Sequence, residues 1–231
     1  MNFEFLIISI ILIITYIFIR TIFNTNVKEI KQLGDNKELD EIIKKYPTNM
    51  EICNKLLEKL NNNNVNVEED IESNSTMYFI LGNKIFIGNQ KNSYTRIQTI
   101  AHECLHSIQD KRILWTNYIF SNIYNLLFIV LSILVIAKIL PMKMIFLFIL
   151  LIFGFIYYII RNYLENDAMI KARFLAKDYM EETNLSEKEE IEKVIRQYDK
   201  LNYAGIKFVT IQIFSSVCLK CTIFSILSCI F

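Results

Sequence analysis

Residues 98–110 read QTIAHECLHSIQD, and this stretch decides how the rest of the chain is interpreted. His102 and His106 are four positions apart, so on an α-helix they lie on one face and can bind the same metal ion. Glu103 lies about 100° further round the helix axis, close to such an ion without having to coordinate it. The chain contains 2 histidines, and both belong to this motif. We therefore expect a metal-binding helix here rather than a chance match.

Long apolar segments surround the motif. Residues 113–137 carry no charged side chain, and after a turn at Pro141 an uncharged run continues from 144 to 160. We predict that 113–160 is a transmembrane helical hairpin. Residues 1–23 lack the basic start and the small-residue cleavage site of a signal peptide, and they predict a retained transmembrane anchor.

A last apolar block at 207–231 predicts a fourth span, although Lys220 interrupts it. A lysine at the bilayer centre costs about 2.5–3.5 kcal/mol on insertion scales, so whether this block is a true span stays open here. The segments 24–112 and 161–206 are polar. The fold class that we expect is therefore an α-helical membrane protein with about four transmembrane helices and a small polar domain.

The basic residues predict how the chain is oriented. Lys and Arg number 13 in 20–112 and 9 in 161–207, against only Lys138 and Lys143 at the tip of the hairpin. The positive-inside rule then places the polar segments in the cytoplasm. The net charge of +1 gives no field that would attract nucleic acid, so no nucleic-acid partner is expected.

The five cysteines show no spacing of a disulfide framework. Cys218 and Cys221 form a C-x-x-C pair inside an apolar run, where packing is the simpler interpretation than redox chemistry. Cys104 occupies an x position of the histidine motif and is likewise expected to pack.

Local patterns predict the elements that precede the motif helix. Residues 35–38 and 48–51 both resemble capping boxes, in which side chains satisfy the first free N–H groups of a helix. Ser93 is expected to cap the motif helix. The second box opens an amphipathic run that predicts a helix.

Residues 61–75, NNNNVNVEEDIESNS, predict a mobile loop. Residues 76–89 then predict a β-hairpin, with Gly82 and Asn83 in a type I′ or II′ turn. The strand KIFIG at 84–88 is either an edge to which an extended peptide adds or an ordinary core strand.

A catalytic zinc ion needs a third protein ligand beside an open position, and no third histidine exists. His106 precedes the apolar run by seven residues, roughly 10 Å of helix, and the hairpin returns the chain to the same face of the membrane. Glu165 follows Arg161 by four residues, roughly 6 Å. We therefore predict Glu165 as the third ligand, the alternative being a solvated carboxylate at the membrane interface.

Glu165 begins a stripe of small residues, Ala168, Ala172 and Ala176, which would allow close approach to the motif helix. Asp167 points about 200° away from Glu165, so we expect it to join the two helices rather than to bind metal.

Asp110 either orients an imidazole or is a surface charge. An oxyanion-stabilising side chain is also expected, and the candidates, which sequence does not rank, are Tyr163, Arg173, Tyr198 and Tyr203.

The order of anchor, AHECLHSIQ (101–109), hairpin, ENDA (165–168) and final span resembles the bacterial membrane-bound neutral zinc metallopeptidases of the YugP type. It is similar, more distantly, to the HtpX and CAAX prenyl protease group. Leu105 and Met169 depart from the YugP-type pattern, which usually has Gly and Ser at these positions.

The resemblance implies a bacterial cell-membrane protein with one catalytic zinc on His102, His106 and Glu165, and with Glu103 as general base. It also implies a small α+β domain of the gluzincin kind. The expected activity is hydrolysis of peptide or membrane-protein substrates near the lipid bilayer. The alternative is a catalytically silent zinc-binding sensor or scaffold. Polar neighbours of the motif argue against an intramembrane site-2 protease.

Overall fold

The computed structural model describes residues 3–70, 72–73, 75–90 and 93–231. Within these residues the chain forms seven α-helices, three short strands and one 3₁₀ turn. In chain order they are α1 Phe3–Gly34, α2 Lys37–Ile43, α3 Asn49–Lys59, β1 Asn66–Asp70, β2 Met77–Phe79, the 3₁₀ turn Ile80–Gly82, β3 Lys84–Gly88, α4 Arg96–Ile108, α5 Lys111–Ile136, α6 Lys143–Thr183 and α7 Lys188–Ile230.

Four of the described helices, α1, α5, α6 and α7, are long and apolar enough to cross a membrane. They correspond to the four predicted spans, and the chain therefore has the helices of a multi-pass membrane protein. The most apolar window of α7 is 50% buried, against 17% in each of the other three helices. Because it is the most enclosed of the four, α7 can contain polar side chains that a lipid-facing helix would expose.

The chain divides into two compact units. The apolar unit consists of Met1–Val27, Trp115–Tyr163 and Lys207–Phe231. The polar unit consists of Lys28–Leu114 and Leu164–Ile206. Helices α1, α5, α6 and α7 each contribute one part to each unit. All three candidate metal ligands belong to the polar unit.

Close helix packing inside the apolar unit depends on a glycine. A Cβ atom at Gly154 would lie 2.4 Å from Cγ1 of Val217 and 2.8 Å from the hydroxyl of Tyr124, too close for any side chain. Lys220 places its ammonium group 4.7 Å from the centre of the Tyr124 ring and donates a hydrogen bond to Ser216 Oγ at 3.2 Å. These two contacts lower the cost of a charge within the fourth apolar block.

The polar unit contains a three-stranded sheet in the order β1-β3-β2. β1 is parallel to β3, with Asn66 opposite Lys84, and β2 is antiparallel to β3, with Tyr78 opposite Ile85. The prediction that 61–75 is a loop was therefore wrong over 66–70, which form β1. β3 is the central strand, so it is not a free edge, and its alternative interpretation as a core strand is confirmed.

The connection between β2 and β3 is not the predicted two-residue turn. Residues 80–82 form a 3₁₀ turn, and Asn83 has a φ of 47° and donates a hydrogen bond to Ile80 O. Type I′ and II′ turns both require a positive φ at the first central residue, yet no described glycine, Gly82 included, has one. The loop is longer because the antiparallel register ends with Phe79 opposite Lys84.

Two of the three predicted helix caps differ from the structure. Thr48 and Glu51 form the predicted capping box of α3. The cap of α2, however, is Asn36, whose side chain accepts a hydrogen bond from Leu39 N–H. Thr95 rather than Ser93 is the N-cap of α4; the Ser93 hydroxyl instead accepts a hydrogen bond from Thr95 N–H at 3.2 Å.

Arg96 anchors the start of α4. Its guanidinium group is buried and donates hydrogen bonds to the backbone carbonyls of Ile43, Tyr46 and Pro47 and to the Asn49 side chain, at 2.7–2.9 Å. These acceptors lie at the end of α2 and the start of α3, where carbonyl groups lack helical partners. Burial lowers the pKa of Arg96, but an arginine this well bonded remains charged. The N-terminal end of the motif helix is thereby fixed to its neighbours.

All five cysteines are free, as expected. Cys104 is fully buried, and its Sγ atom lies 3.7 Å from Sγ of Cys53 on α3, which is consistent with the predicted packing role.

Candidate metal centre

The two histidines of α4 converge on one point. Their spacing of four residues stacks them on one face of the helix, and Nε2 of His102 lies 3.0 Å from Nε2 of His106. The two rings are perpendicular, with their centroids 4.5 Å apart. The pair thus presents two nitrogen atoms in the arrangement that a shared metal ion requires.

Helix α6 brings Glu165 to the same point. Oε2 of Glu165 lies 3.4 Å from His102 Nε2 and 3.7 Å from His106 Nε2. Among the described residues, His102, His106 and Glu165 form the one group of three or more His, Cys, Asp or Glu side chains able to hold a metal ion. The three predicted ligands are therefore together in the structure.

Small residues on α6 allow this approach. Ala168, Ala172 and Ala176 are at most 1% exposed and belong to one hydrophobic core with Ile100, Ala101 and Cys104 of α4. Larger side chains in the same stripe would separate the two helices and move Glu165 away from the histidines. The core of the polar unit thus sets the geometry of the centre.

The three donor atoms fit zinc. In the plane of the three donor atoms, the point equidistant from them lies about 2.0 Å from each, close to the 2.0–2.2 Å of zinc bonds to nitrogen and carboxylate oxygen. Two imidazoles and one carboxylate are also a ligand set of catalytic zinc sites, which leave a fourth position open. Both the chemistry and the spacing of the three donor atoms are thus compatible with a zinc site.

The surroundings of the centre favour a bound positive charge. Burial raises the pKa of Glu103, although His102, His106 and the Tyr78 N–H group oppose this effect. Burial alone would lower the pKa of His106, but its hydrogen bond to Glu165 and the nearby carboxylates raise the pKa overall. His106, Glu103 and Glu165 are each less than a tenth exposed, so water screens these charges poorly. Because burial disfavours the charged form of a carboxylate, a cation bound beside Glu103 and Glu165 would stabilise their ionised forms and would be stabilised by them.

Glu103 lies beside the centre rather than in it. Its Oε1 atom is 4.0 Å from His102 Nε2, while Oε2 accepts a hydrogen bond of 2.6 Å from the backbone N–H of Tyr78 in β2. One carboxylate oxygen is thus held by the sheet and the other is turned toward the ligands. This arrangement suits a proton acceptor next to a metal ion.

Gln109, which the sequence interpretation did not single out, contacts the centre directly. Its Oε1 atom lies 2.8 Å from Nδ1 of His106, and its Nε2 atom donates hydrogen bonds to Leu164 O at 2.8 Å and Asp167 Oδ2 at 3.1 Å. The spacing of three residues after His106 was the available signal, because side chains three apart meet on a helix. Asp167 thus helps to join α4 and α6, as predicted.

Asp110 does not orient an imidazole. Its carboxylate accepts hydrogen bonds from the backbone N–H and the guanidinium group of Arg112, and it lies in the break between α4 and α5. The continuous helix assumed in the distance of roughly 10 Å from His106 to the apolar run was wrong, because α4 ends at Ile108 and α5 begins at Lys111. Gln109 has an extended backbone, with φ −60° and ψ 157°, which ends α4 while its side chain bonds to α6.

Two of the four oxyanion candidates are engaged elsewhere. Tyr198 is fully buried and donates a hydrogen bond to Tyr94 O, and Arg173 pairs with Asp199 at 2.7 Å. Tyr203 is 63% exposed, and Tyr163 belongs to the apolar unit.

No protein-family model, curated protein or solved structure matches the chain.

Proposed function

We propose that this chain is a membrane-anchored zinc endopeptidase, and that His102, His106 and Glu165 hold its one catalytic zinc ion. The observation that carries the proposal is the convergence of three donor atoms at zinc spacing beside a fourth, non-ligating carboxylate. The resemblance of AHECLHSIQ and ENDA to the YugP-type metallopeptidases supports it, and so does the small three-stranded sheet of the polar unit, because the resemblance implies a small α+β domain.

Bound zinc would supply Lewis-acid chemistry, polarising a peptide carbonyl and making water a better nucleophile at neutral pH. Glu103 would accept the proton of that water through Oε1, the oxygen that faces the ligands. It would then donate the proton to the leaving amine. The Tyr78 N–H group holds the other carboxylate oxygen throughout, so Glu103 keeps one orientation.

β2 is an edge strand of the described sheet, and this position supports a peptide substrate. Because Tyr78 N–H points to Glu103, the backbone groups of Tyr78 face away from β3 and toward α4. The Tyr78 N–H group is occupied by Glu103, so an extended peptide would pair with the other outward backbone groups of β2, which would place its backbone beside Glu103. β1, the other edge strand, carries the exposed run Glu68–Asp70, which discourages strand addition.

A substrate near the membrane is proposed from chain connectivity. Glu165 lies on the same helix as an apolar span, and α4 ends three residues before α5 begins. The basic residues of the polar segments favour a cytoplasmic centre. Labelling of single cysteines placed at 35, 187 and 141 in intact cells tests this: external reagent should reach only position 141, and the reverse pattern would refute a cytoplasmic centre.

The decisive test of function compares metal content and cleavage of casein and of membrane-protein substrates in wild type and Glu103→Gln. We expect stoichiometric zinc in both proteins. Cleavage should fall by about 10²–10⁴-fold in the variant, the usual contribution of a general base. Glu69→Gln, on the exposed β1 strand, is the control and should retain activity. Stoichiometric zinc with no cleavage that depends on Glu103 would instead identify a zinc-binding sensor or scaffold.

A further inference from the structure

Gln109 directly follows the last residue of α4, and its side chain makes three polar contacts. One is to a proposed ligand, His106, and two are to the helix that carries another, at Leu164 O and Asp167 Oδ2. The α6 contacts lie on either side of Glu165 in sequence. A single amide group thus touches both helices of the centre at the positions next to their ligands.

The chemistry of its partners fixes which way the amide points. A backbone carbonyl and a carboxylate only accept hydrogen bonds, so the atom facing Leu164 and Asp167 must be the NH₂ group. The remaining amide atom, Oε1, only accepts, and it faces His106 Nδ1 at 2.8 Å. The proton of neutral His106 must therefore lie on Nδ1. Nε2 is left as a lone pair, directed at His102 and Glu165.

The acidic partner is itself well fixed. Asp167 forms an ion pair with Lys171 at 2.6 Å and accepts the hydrogen bond from Gln109 Nε2 at 3.1 Å. A carboxylate that is ion-paired with Lys171 is a strong acceptor for the Gln109 amide. Successive polar contacts thus connect the exposed Lys171, through Asp167 and Gln109, to the buried imidazole of His106.

We propose that Gln109 is the positioning residue of the metal centre. It selects the His106 tautomer that can bind metal and joins α4 to α6 so that Glu165 stays at bonding distance. This inference rests on the proposed function, because it gives Gln109 its role in a zinc site. Partners that hold a ligating histidine in this way are typically worth about 10–100-fold in metal affinity.

Asn62→Ala provides a matched control. The Asn62 amide also bonds to the end of α4, donating to Ser107 Oγ at 2.8 Å and to Ser107 O at 3.3 Å, but these bonds involve none of the three ligands. If only the anchoring of α4 matters, Asn62→Ala should weaken zinc binding as much as Gln109→Ala does. If the His106 tautomer and the link to α6 matter, Gln109→Ala should bind zinc more weakly than Asn62→Ala.

The experiment uses the full-length protein in detergent. Zinc affinity is measured by competition with a chelator, and folding by the thermal transition of the metal-free form. We expect Gln109→Ala to lose about 10–100-fold in affinity and Asn62→Ala to stay close to wild type. Gln109→Glu can still accept from His106 but cannot donate to Leu164, and it places a second carboxylate beside Asp167, so it should also bind zinc more weakly. Equal affinity in Gln109→Ala and wild type would overturn the proposal.

A second measurement is independent of zinc. Because the chain has 2 histidines, nitrogen NMR of ring-labelled metal-free protein resolves both imidazoles. The neutral form of His106 should carry its proton on Nδ1 in wild type and lose this preference in Gln109→Ala. A proton on Nε2 in wild type would refute the inference even if a variant failed to fold. A wild type that shows the predicted tautomer but binds no zinc would refute the proposed function alone.

Discussion

The backbone N–H of Tyr78 and the carboxylate of Glu103 are joined by a hydrogen bond of 2.6 Å. It links the edge strand β2 to the motif helix at the residue proposed as general base. The same backbone position thus both orients the base and lies on the edge where an extended substrate would pair.

Replacing Tyr78 by proline removes this donor without removing a hydrogen bond between strands, because the N–H group faces away from β3. Misplacement of a catalytic group by about 1 Å can cost up to roughly 100-fold in rate. We expect a fall in kcat of this order with zinc affinity unchanged. Tyr78→Ala keeps the N–H group and is the control, so both variants lose the side chain but only one loses the donor. Equal kcat in the two variants would show that the hydrogen bond has no catalytic role.

Glu165→Ala should remove the third ligand and leave the two histidines with an incomplete zinc site. The loss in zinc affinity, measured by chelator competition, should exceed the roughly 10–100-fold that residues supporting a ligand contribute. Glu181→Ala, on the same helix but in an ion pair with Lys177, is the control and should bind zinc normally. Unchanged zinc affinity in Glu165→Ala would disprove the ligand assignment.

The small stripe on α6 predicts a steric effect. Ala172 is 1% exposed in the core between α6 and its neighbours, so Ala172→Leu should destabilise the protein by about 1–3 kcal/mol and weaken zinc binding as well. Ile170 is 52% exposed, and Ile170→Ala should change the free energy of unfolding by no more than about 0.5 kcal/mol. Thermal unfolding with and without zinc distinguishes these outcomes. A fully tolerated leucine would contradict close packing at this stripe.

The buried tyrosines of the polar unit predict sensitivity to alkali. Burial raises the pKa of Tyr94 and of Tyr179 to about 12. An unfolded chain ionises tyrosine near pH 10, so the stability that the neutral phenols provide is present below pH 10 and is lost as pH rises toward 12. Tyr94→Phe should reduce this loss. The loss of stability is measured by following the near-ultraviolet absorbance of tyrosinate and the unfolding midpoint as functions of pH. Full ionisation of the tyrosines near pH 10 in the folded protein would contradict the buried positions of Tyr94 and Tyr179.

Features that depend on one strong physical requirement were predictable from sequence. Each of the four long apolar helices must satisfy its backbone groups internally in a bilayer, and hydropathy records this requirement directly. The spacing of His102 and His106 places them on one helical face whatever the surrounding fold. Because the apolar hairpin was expected to return the chain to the same face of the membrane, Glu165 could be predicted as the third ligand. The alanine stripe predicted a close contact between two helices.

The features that were missed depend on distant partners. The sequence of β1 predicts a polar loop, because its residues are mostly exposed and do not alternate between apolar and polar. Pairing with β3 makes this segment a strand. Gln109 breaks α4 because its amide finds acceptors on α6, 55 and 58 positions away. The 3₁₀ turn before Asn83 likewise follows from the register of β2 on β3. Tertiary contacts decided each of these cases over local preference.

Zinc K-edge X-ray absorption of the purified protein tests the central claim most directly. We expect one zinc ion per chain, with nitrogen and oxygen neighbours at about 2.0–2.2 Å and outer-shell scattering from two imidazoles. Glu165→Ala should lower the zinc content or change the first shell. An absence of zinc after exposure to the metal, or a first shell of sulfur at about 2.3 Å, would contradict a centre built from His102, His106 and Glu165.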